Sequence, residues 1–183
     1  MDNATNNTAL VTLLNSQAKS GSEFLPLSYF KSGQFLSLTT DCQGGLILQK
    51  PFYADFVGPG AVVGSSFDVN CTSIYVIGTV KFSASTTVSE RQHAFQQRMA
   101  YSHQLQEIAE IEAPLRRAFS ILQQLSQWVG AEETNKIPDE IVARLAGLLP
   151  RTVKIARRKY PAENHPQAVS LSSAARSSAG KQA

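Results

Sequence analysis

The sequence predicts an α+β fold with an N-terminal antiparallel β domain, one long connecting helix and a C-terminal helix-turn-helix. Three observations lead there. Short apolar runs divided by glycine and polar clusters fill residues 24–85. After Thr87 the spacing of apolar residues becomes helical. Finally, IPDEIVARLAGLLPRTVKIARRKY, residues 137–160, sets small and apolar residues where two crossed helices need them.

At 183 residues, 43% hydrophobic and 17% charged, the chain can bury one sizeable core and a smaller second one. Residues 1–23 form an N-terminal extension ahead of the β region. No segment approaches the roughly 20 apolar residues that cross a bilayer. MDNATNNTALVTLLNSQAK lacks a basic start followed by a long apolar run, so no membrane partner is expected and the cytoplasm is the expected compartment.

The β-rich unit, residues 24–86, contains QFLSL, GLILQ, AVVG and SIYVIGTVKF, separated by Gly-Gly, Gly-Pro-Gly and Asp/Asn/Ser clusters. Residues 1–85 carry four Lys and no Arg against five acids, a net of −1, whereas residues 86–183 carry thirteen basic residues against nine acids, a net of +4. That asymmetry points to two functions in two places. Cys42 and Cys71 have no CxxC spacing and no adjacent His pair, which excludes a zinc or iron–sulfur site from one chain. They are expected to be buried, idle thiols, with a thiol switch as the alternative.

Residues 87–112 form the connecting helix, with Ala94, Arg98, Tyr101, Leu105 and Ile108 at alternating spacings of four and three. Ala94, Tyr101, Leu105 and Ile108 are the expected seam of a homodimer; alternatively the stripe covers the β domain. Pro114 opens the next helix, which presents Leu115, Phe119, Leu122, Leu125 and Val129 on one face and stops at Gly130.

Within the helix-turn-helix unit, residues 113–160, Ala143 suits the close approach of two backbones, Gly147 a left-handed turn, and Val153 the anchoring of the second helix. Val142, Leu145, Ala146, Leu148, Val153, Ala156 and Tyr160 form the expected inward surface. Pro138 and Pro150 suit first helical turns, and Asp139 and Glu140 suit a helix N-terminus. Residues 136–160 hold seven Lys/Arg against two acids, a net of +5, against +3 for the whole chain. Double-stranded DNA is therefore the expected partner, met by Arg151, Thr152, Lys154, Arg157, Arg158 and Lys159. A solvated basic face and a protein-binding domain are the alternatives. Residues 161–183 are rich in Ser, Ala and Pro and are expected to be a disordered tail, with VSL as a stub of a wing strand.

The order of these units resembles the cyclic-AMP receptor protein and fumarate–nitrate regulator family of bacterial transcription factors. YFKSGQFL (29–36) looks like the opening of that family's β-roll, and DFVGPGAVVG (55–64) like its Gly-Pro-Gly turn and following strand. APLRRAFSILQQLSQWVG (113–130) looks like the helix leading into its DNA-binding domain, and GLLPRTVKIARRKY (147–160) is similar to its turn and recognition helix. The resemblance implies a cupin-like β-roll, here truncated because only 20 residues separate Phe35 from Phe56, and a winged helix-turn-helix. SSFDVNCTS after Gly64 lacks the Glu and the Arg-Ser/Thr pair that would hold a cyclic nucleotide, so control by cyclic AMP is not expected and no cofactor is implied. The recognition helix departs from the family's Arg-Glu-Thr-Val-x-Arg pattern, reading Pro150-Arg151-Thr152-Val153-Lys154-Ile155.

His93, His103 and His165 are scattered, and no nucleophile–base or paired-carboxylate spacing forces proximity. GPGAVVG lacks the Lys-Ser/Thr of a phosphate loop. The expected function is DNA-binding transcriptional regulation and not enzymatic catalysis; the alternative is an adaptor that binds another protein through the β domain and the helical seam.

Overall fold

A computed structural model describes residues 11–15, 27–30, 35–64, 67–85 and 87–159. The expected tail, with its wing strand, and Tyr160 and His165 lie outside the described residues, as does most of the N-terminal extension. The architecture is mixed α+β, with two small antiparallel sheets followed by a run of helices.

The strands are β1 (Leu36–Leu38), β2 (Gln43–Gln49), β3 (Ala54–Val57), β4 (Val62–Val63), β5 (Ser73–Thr79) and β6 (Phe82–Ala84). One sheet runs β4-β1-β6 and the other β3-β2-β5. Strand β2 is central, with Leu46 opposite Val57 on one side and Val76 on the other. The GLIL stretch of its QGGLILQ sequence is apolar without interruption because both faces of this sheet are covered. Leu46 and Leu48 point to a core shared with Leu36, Leu38, Val63 and Phe82 of the other sheet. Ile47 points the opposite way, with Phe56, Tyr75 and Ile77, into a second core formed with the helices. Between Phe35 and Phe56 lie only β1, β2 and the start of β3. Both thiols belong to the first core: Cys42 Sγ donates to the Gly44 carbonyl at 3.9 Å and Cys71 Sγ to that of Ser73 at 3.2 Å. Burial pushes the Cys42 thiol's pKa up, which disfavours the reactive thiolate.

Helix α1 (Val88–Ala109) starts on a capping box: Thr87 Oγ1 accepts from Glu90 N–H at 3.2 Å, and Glu90 Oε2 accepts from Thr87 N–H at 3.1 Å. Its buried residues are Ala94, Arg98, Leu105 and Ile108, with Tyr101 half-buried. All face this chain's own sheets and following helices. The expected homodimer seam is thus corrected, since a second copy cannot pack on residues the first copy already covers. Tyr101 fits because Gly58 leaves room; a Cβ there would come 2.5 Å from the ring. Tyr101 and Phe56 pack edge to face at 5.3 Å, and Phe56 stacks on Trp128 at 4.4 Å.

Arg98 is tolerated on this buried stripe because acids meet it. Its Nη2 reaches Asp55 Oδ2 at 3.2 Å and Asp68 Oδ1 at 3.3 Å, and Lys50 Nζ reaches the same two carboxylates at 3.0 and 3.8 Å. Asp68 also accepts the Gly64 N–H at 2.8 Å. Burial lowers the Lys50 pKa, but the Asp55 hydrogen bond and the charges of Asp55 and Asp68 outweigh it, leaving the ammonium above its ordinary range. Two cations and two anions thereby tie α1 to the β3 strand and to Asp68.

Helices α2 (Pro114–Val129), α3 (Ala131–Lys136), α4 (Asp139–Leu145) and α5 (Pro150–Lys159) follow. Gly130 takes φ +88° between α2 and α3, as expected of a helix stop. The short α3 was not expected from the sequence. Ile121, Leu125, Ile137, Val142, Ala143 and Val153 complete the second core against Ile47, Phe56 and Tyr75, so the helical part rests on one face of the β3-β2-β5 sheet.

Candidate nucleic-acid interface

Helices α4 and α5 meet across a short turn at residues 146–149, and α2 packs against both. Ala143 and Ala146 are buried where the chain turns, and Gly147 adopts φ +59°, the left-handed conformation that an L side chain avoids. The Leu148 N–H closes the turn on the Ala143 carbonyl at 2.8 Å, and the Thr152 N–H bonds the Leu149 carbonyl at 2.9 Å as α5 begins. Pro150 opens α5, where a missing N–H is not needed. Val153 and Ala156 are completely buried. The three positions singled out for approach, turn and anchoring occupy those places.

Arg117, on α2, braces the turn. Its Nε donates to the Ile111 carbonyl at 2.8 Å, while Nη1 lies 3.4 Å from the carbonyls of both Ala146 and Gly147. Carbonyls that a helix end leaves without partners are thereby satisfied. Nothing in the local sequence pattern around Arg117 singles it out for this task.

The seven cations of residues 136–160 divide into two groups. Lys136 pairs with Glu132 at 2.9 Å and Glu133 at 2.7 Å, and the hydrogen bonds it donates to Glu133 and Glu132 raise its pKa. Arg144 donates to Gln49 Oε1 at 2.9 Å and the Pro51 carbonyl at 3.2 Å, docking α4 on the β2–β3 connection. Arg157 differs from the place expected for it. Its Nε pairs with Asp139 at 2.9 Å, and its terminal nitrogens donate to the carbonyls of Thr134 and Ile137, the shortest at 2.8 Å. Its guanidinium fastens α5 to the start of α4 and is not displayed with the others.

Arg151, Lys154, Arg158 and Lys159 form the second group. All four are exposed and make no ion pair among the described residues. Thr152 is half-buried at the edge of this face. Helical spacing puts the four cations on one side of α5, opposite Val153 and Ala156. The C-terminal ones also sit well against the negative end of the helix dipole. The result is a rigid helix with an apolar underside and a cationic outer side. One apolar residue lies on that outer side, Ile155 at 38% exposure, and Leu149 in the preceding turn is also exposed.

Elsewhere, no group of three His, Cys, Asp or Glu side chains that could hold a metal ion occurs among the described residues. His93 and His103 lie exposed along α1, with His103 Nδ1 3.5 Å from Glu107. No helix among the described residues is long and apolar enough to cross a membrane. Comparisons of the chain with protein-family models, with curated proteins and with solved structures find no match.

Proposed function

We propose that the chain is a DNA-binding transcriptional regulator of the cyclic-AMP receptor protein and fumarate–nitrate regulator type, with α4 and α5 as its helix-turn-helix and the paired sheets as a shortened β-roll. The observation that carries this reading is the division of the cations. The four on the outer side of α5 have no acidic partner among the described residues, whereas the other three are engaged within the fold. A cationic helix face with no acidic partner among the described residues suits the phosphates and base edges of a major groove. Arg151 and Arg158 reach bases, Lys154 lies beside them, and Lys159 meets the backbone.

Control by cyclic AMP does not enter this function. In the segment following Gly64, the buried Asp68 carboxylate would repel a nucleotide phosphate, and Arg98 is already bound to it.

A homodimer reading two half-sites about one helical turn apart would use the outer side of α1. Val88, Phe95 and Met99 line that side at spacings of seven and four and are exposed. Phe95 continues into Phe67 at 5.4 Å and Phe35 at a further 6.4 Å. Gln92, Gln96 and Ala100 beside them carry no charge, while Arg91, three residues after Val88 and four before Phe95, adds a cation to that side. This aromatic row also favours the adaptor as a second function, in which a different protein covers it. A hetero-complex that survives salt concentrations abolishing DNA binding would identify the adaptor.

Substitution on α5 tests the assignment. Arg151→Ala or Arg158→Ala should lose about 1–3 kcal/mol of binding to a preferred duplex and relax its sequence preference. Lys159→Ala should weaken all duplexes alike. Equal effects of all three on preferred and random duplexes would remove the base-contact roles.

A further inference from the structure

The cationic side of α5 contains one apolar side chain that the fold does not need there. Ile155 follows Arg151 by one turn and precedes Arg158 by one turn, lying within the arc bounded by Lys154 and Lys159. It retains 38% of its exposure, whereas the apolar anchors of the same helix, Val153 and Ala156, retain none. Nor does it belong to either apolar core. A lone exposed isoleucine is ordinary on a protein surface. Its place at the centre of a face otherwise made of unpaired cations is what calls for a ligand with both anionic and apolar features.

We infer that Ile155 is a specificity-determining residue that packs against the C5-methyl group of thymine. The inference rests on the DNA-reading function proposed above and names part of the sequence read. Of the four bases, only thymine displays a methyl group in the major groove. A β-branched, half-exposed side chain between two arginines that fix the helix on the duplex can bury that methyl without a hydrogen bond. Cytosine, which presents an amino group nearby and no methyl, would gain nothing from Ile155 and would bring a polar group against it. The preferred half-site should therefore hold thymine beside the base pairs contacted by Arg151 and Arg158.

Deoxyuridine isolates this contact because it pairs like thymidine and lacks only the methyl. A random duplex pool is enriched on the full chain, and the winning duplex is synthesised with thymidine or with deoxyuridine at each thymine in turn. Fluorescence anisotropy then compares the wild-type chain with Ile155→Ala. At one thymine of the half-site the wild-type chain should bind the deoxyuridine duplex about fourfold more weakly, the loss expected for one buried apolar carbon. Ile155→Ala should bind the thymidine duplex more weakly and be indifferent to the exchange at that position. Wild-type indifference to deoxyuridine at every position, or undiminished discrimination by Ile155→Ala, overturns the thymine contact while leaving DNA reading intact. A pool that yields no enriched duplex overturns both.

Discussion

Arg157 and Arg158 are adjacent in sequence and opposite in use. The Arg157 guanidinium is held by Asp139 and by the carbonyls of Thr134 and Ile137, and its side chain is largely buried. Arg157→Ala should lower stability by about 2 kcal/mol, because it strips charge-assisted bonds from half-buried carbonyls and leaves Asp139 without its partner. Arg158→Ala should change stability by no more than about 0.5 kcal/mol. Urea denaturation of the two variants separates them; equal losses would contradict the division of the cations. This division was only partly readable beforehand. Spacing put all five cations of the second helix away from Val153 and Ala156, and four of them are exposed. Arg157 sits on the flank of the helix, and whether a flank meets solvent or a neighbouring carboxylate depends on the helix crossing, which periodicity does not report. Ala143, Gly147 and Val153 were readable because each job admits few residue types. Ile155 escaped notice because its exposure, not its identity, makes it unusual.

Helix α1 shows what periodicity can and cannot give. The sequence predicts a helix over residues 87–112, and the structure has Val88–Ala109. The stripe through Ala94, Arg98, Tyr101, Leu105 and Ile108 is indeed the side that is covered. Its cover is the chain's own sheet and helices, one of the two arrangements the spacing left open, because an apolar stripe records burial without recording the partner. A second, outer stripe escaped because glutamines dilute it. Leu105→Ala should therefore destabilise the monomer by about 2–4 kcal/mol through the cavity it leaves. Phe95→Asp combined with Met99→Asp should leave the fold intact and convert a dimer to a monomer in sedimentation velocity at micromolar concentration. A wild-type chain that sediments as a monomer, or a variant that remains dimeric, would contradict the outer seam.

The β strands and the helical part share the second core, so α4 and α5 are seated on the β3-β2-β5 sheet and α4 is pinned by Arg144 to Gln49 and Pro51. The antiparallel character of residues 24–85 was readable from alternating turns and apolar runs, and the unbroken apolar GLIL of β2 is explained by its two covered faces. The pairing of six strands into two separate sheets was not readable, since register depends on contacts distant in sequence. Short α3 was missed because AEETNK carries no apolar stripe; its Glu132, Glu133 and Lys136 pair among themselves instead. Gly130, at φ +88° the N-cap of this helix, reads in the sequence as the stop of the helix before it.

The central claim is that the exposed cations of α5 read duplex DNA. Fluorescence-anisotropy binding of the full chain to a random duplex pool across a salt series, with the bound fraction sequenced, addresses it directly. With up to four cations brought to the duplex, binding should weaken with a log–log salt slope between about −2 and −4 per protomer, and the bound fraction should be enriched in a two-fold symmetric site. Absence of binding even at low salt, or salt-dependent binding without any enriched sequence, would contradict a sequence-specific regulator.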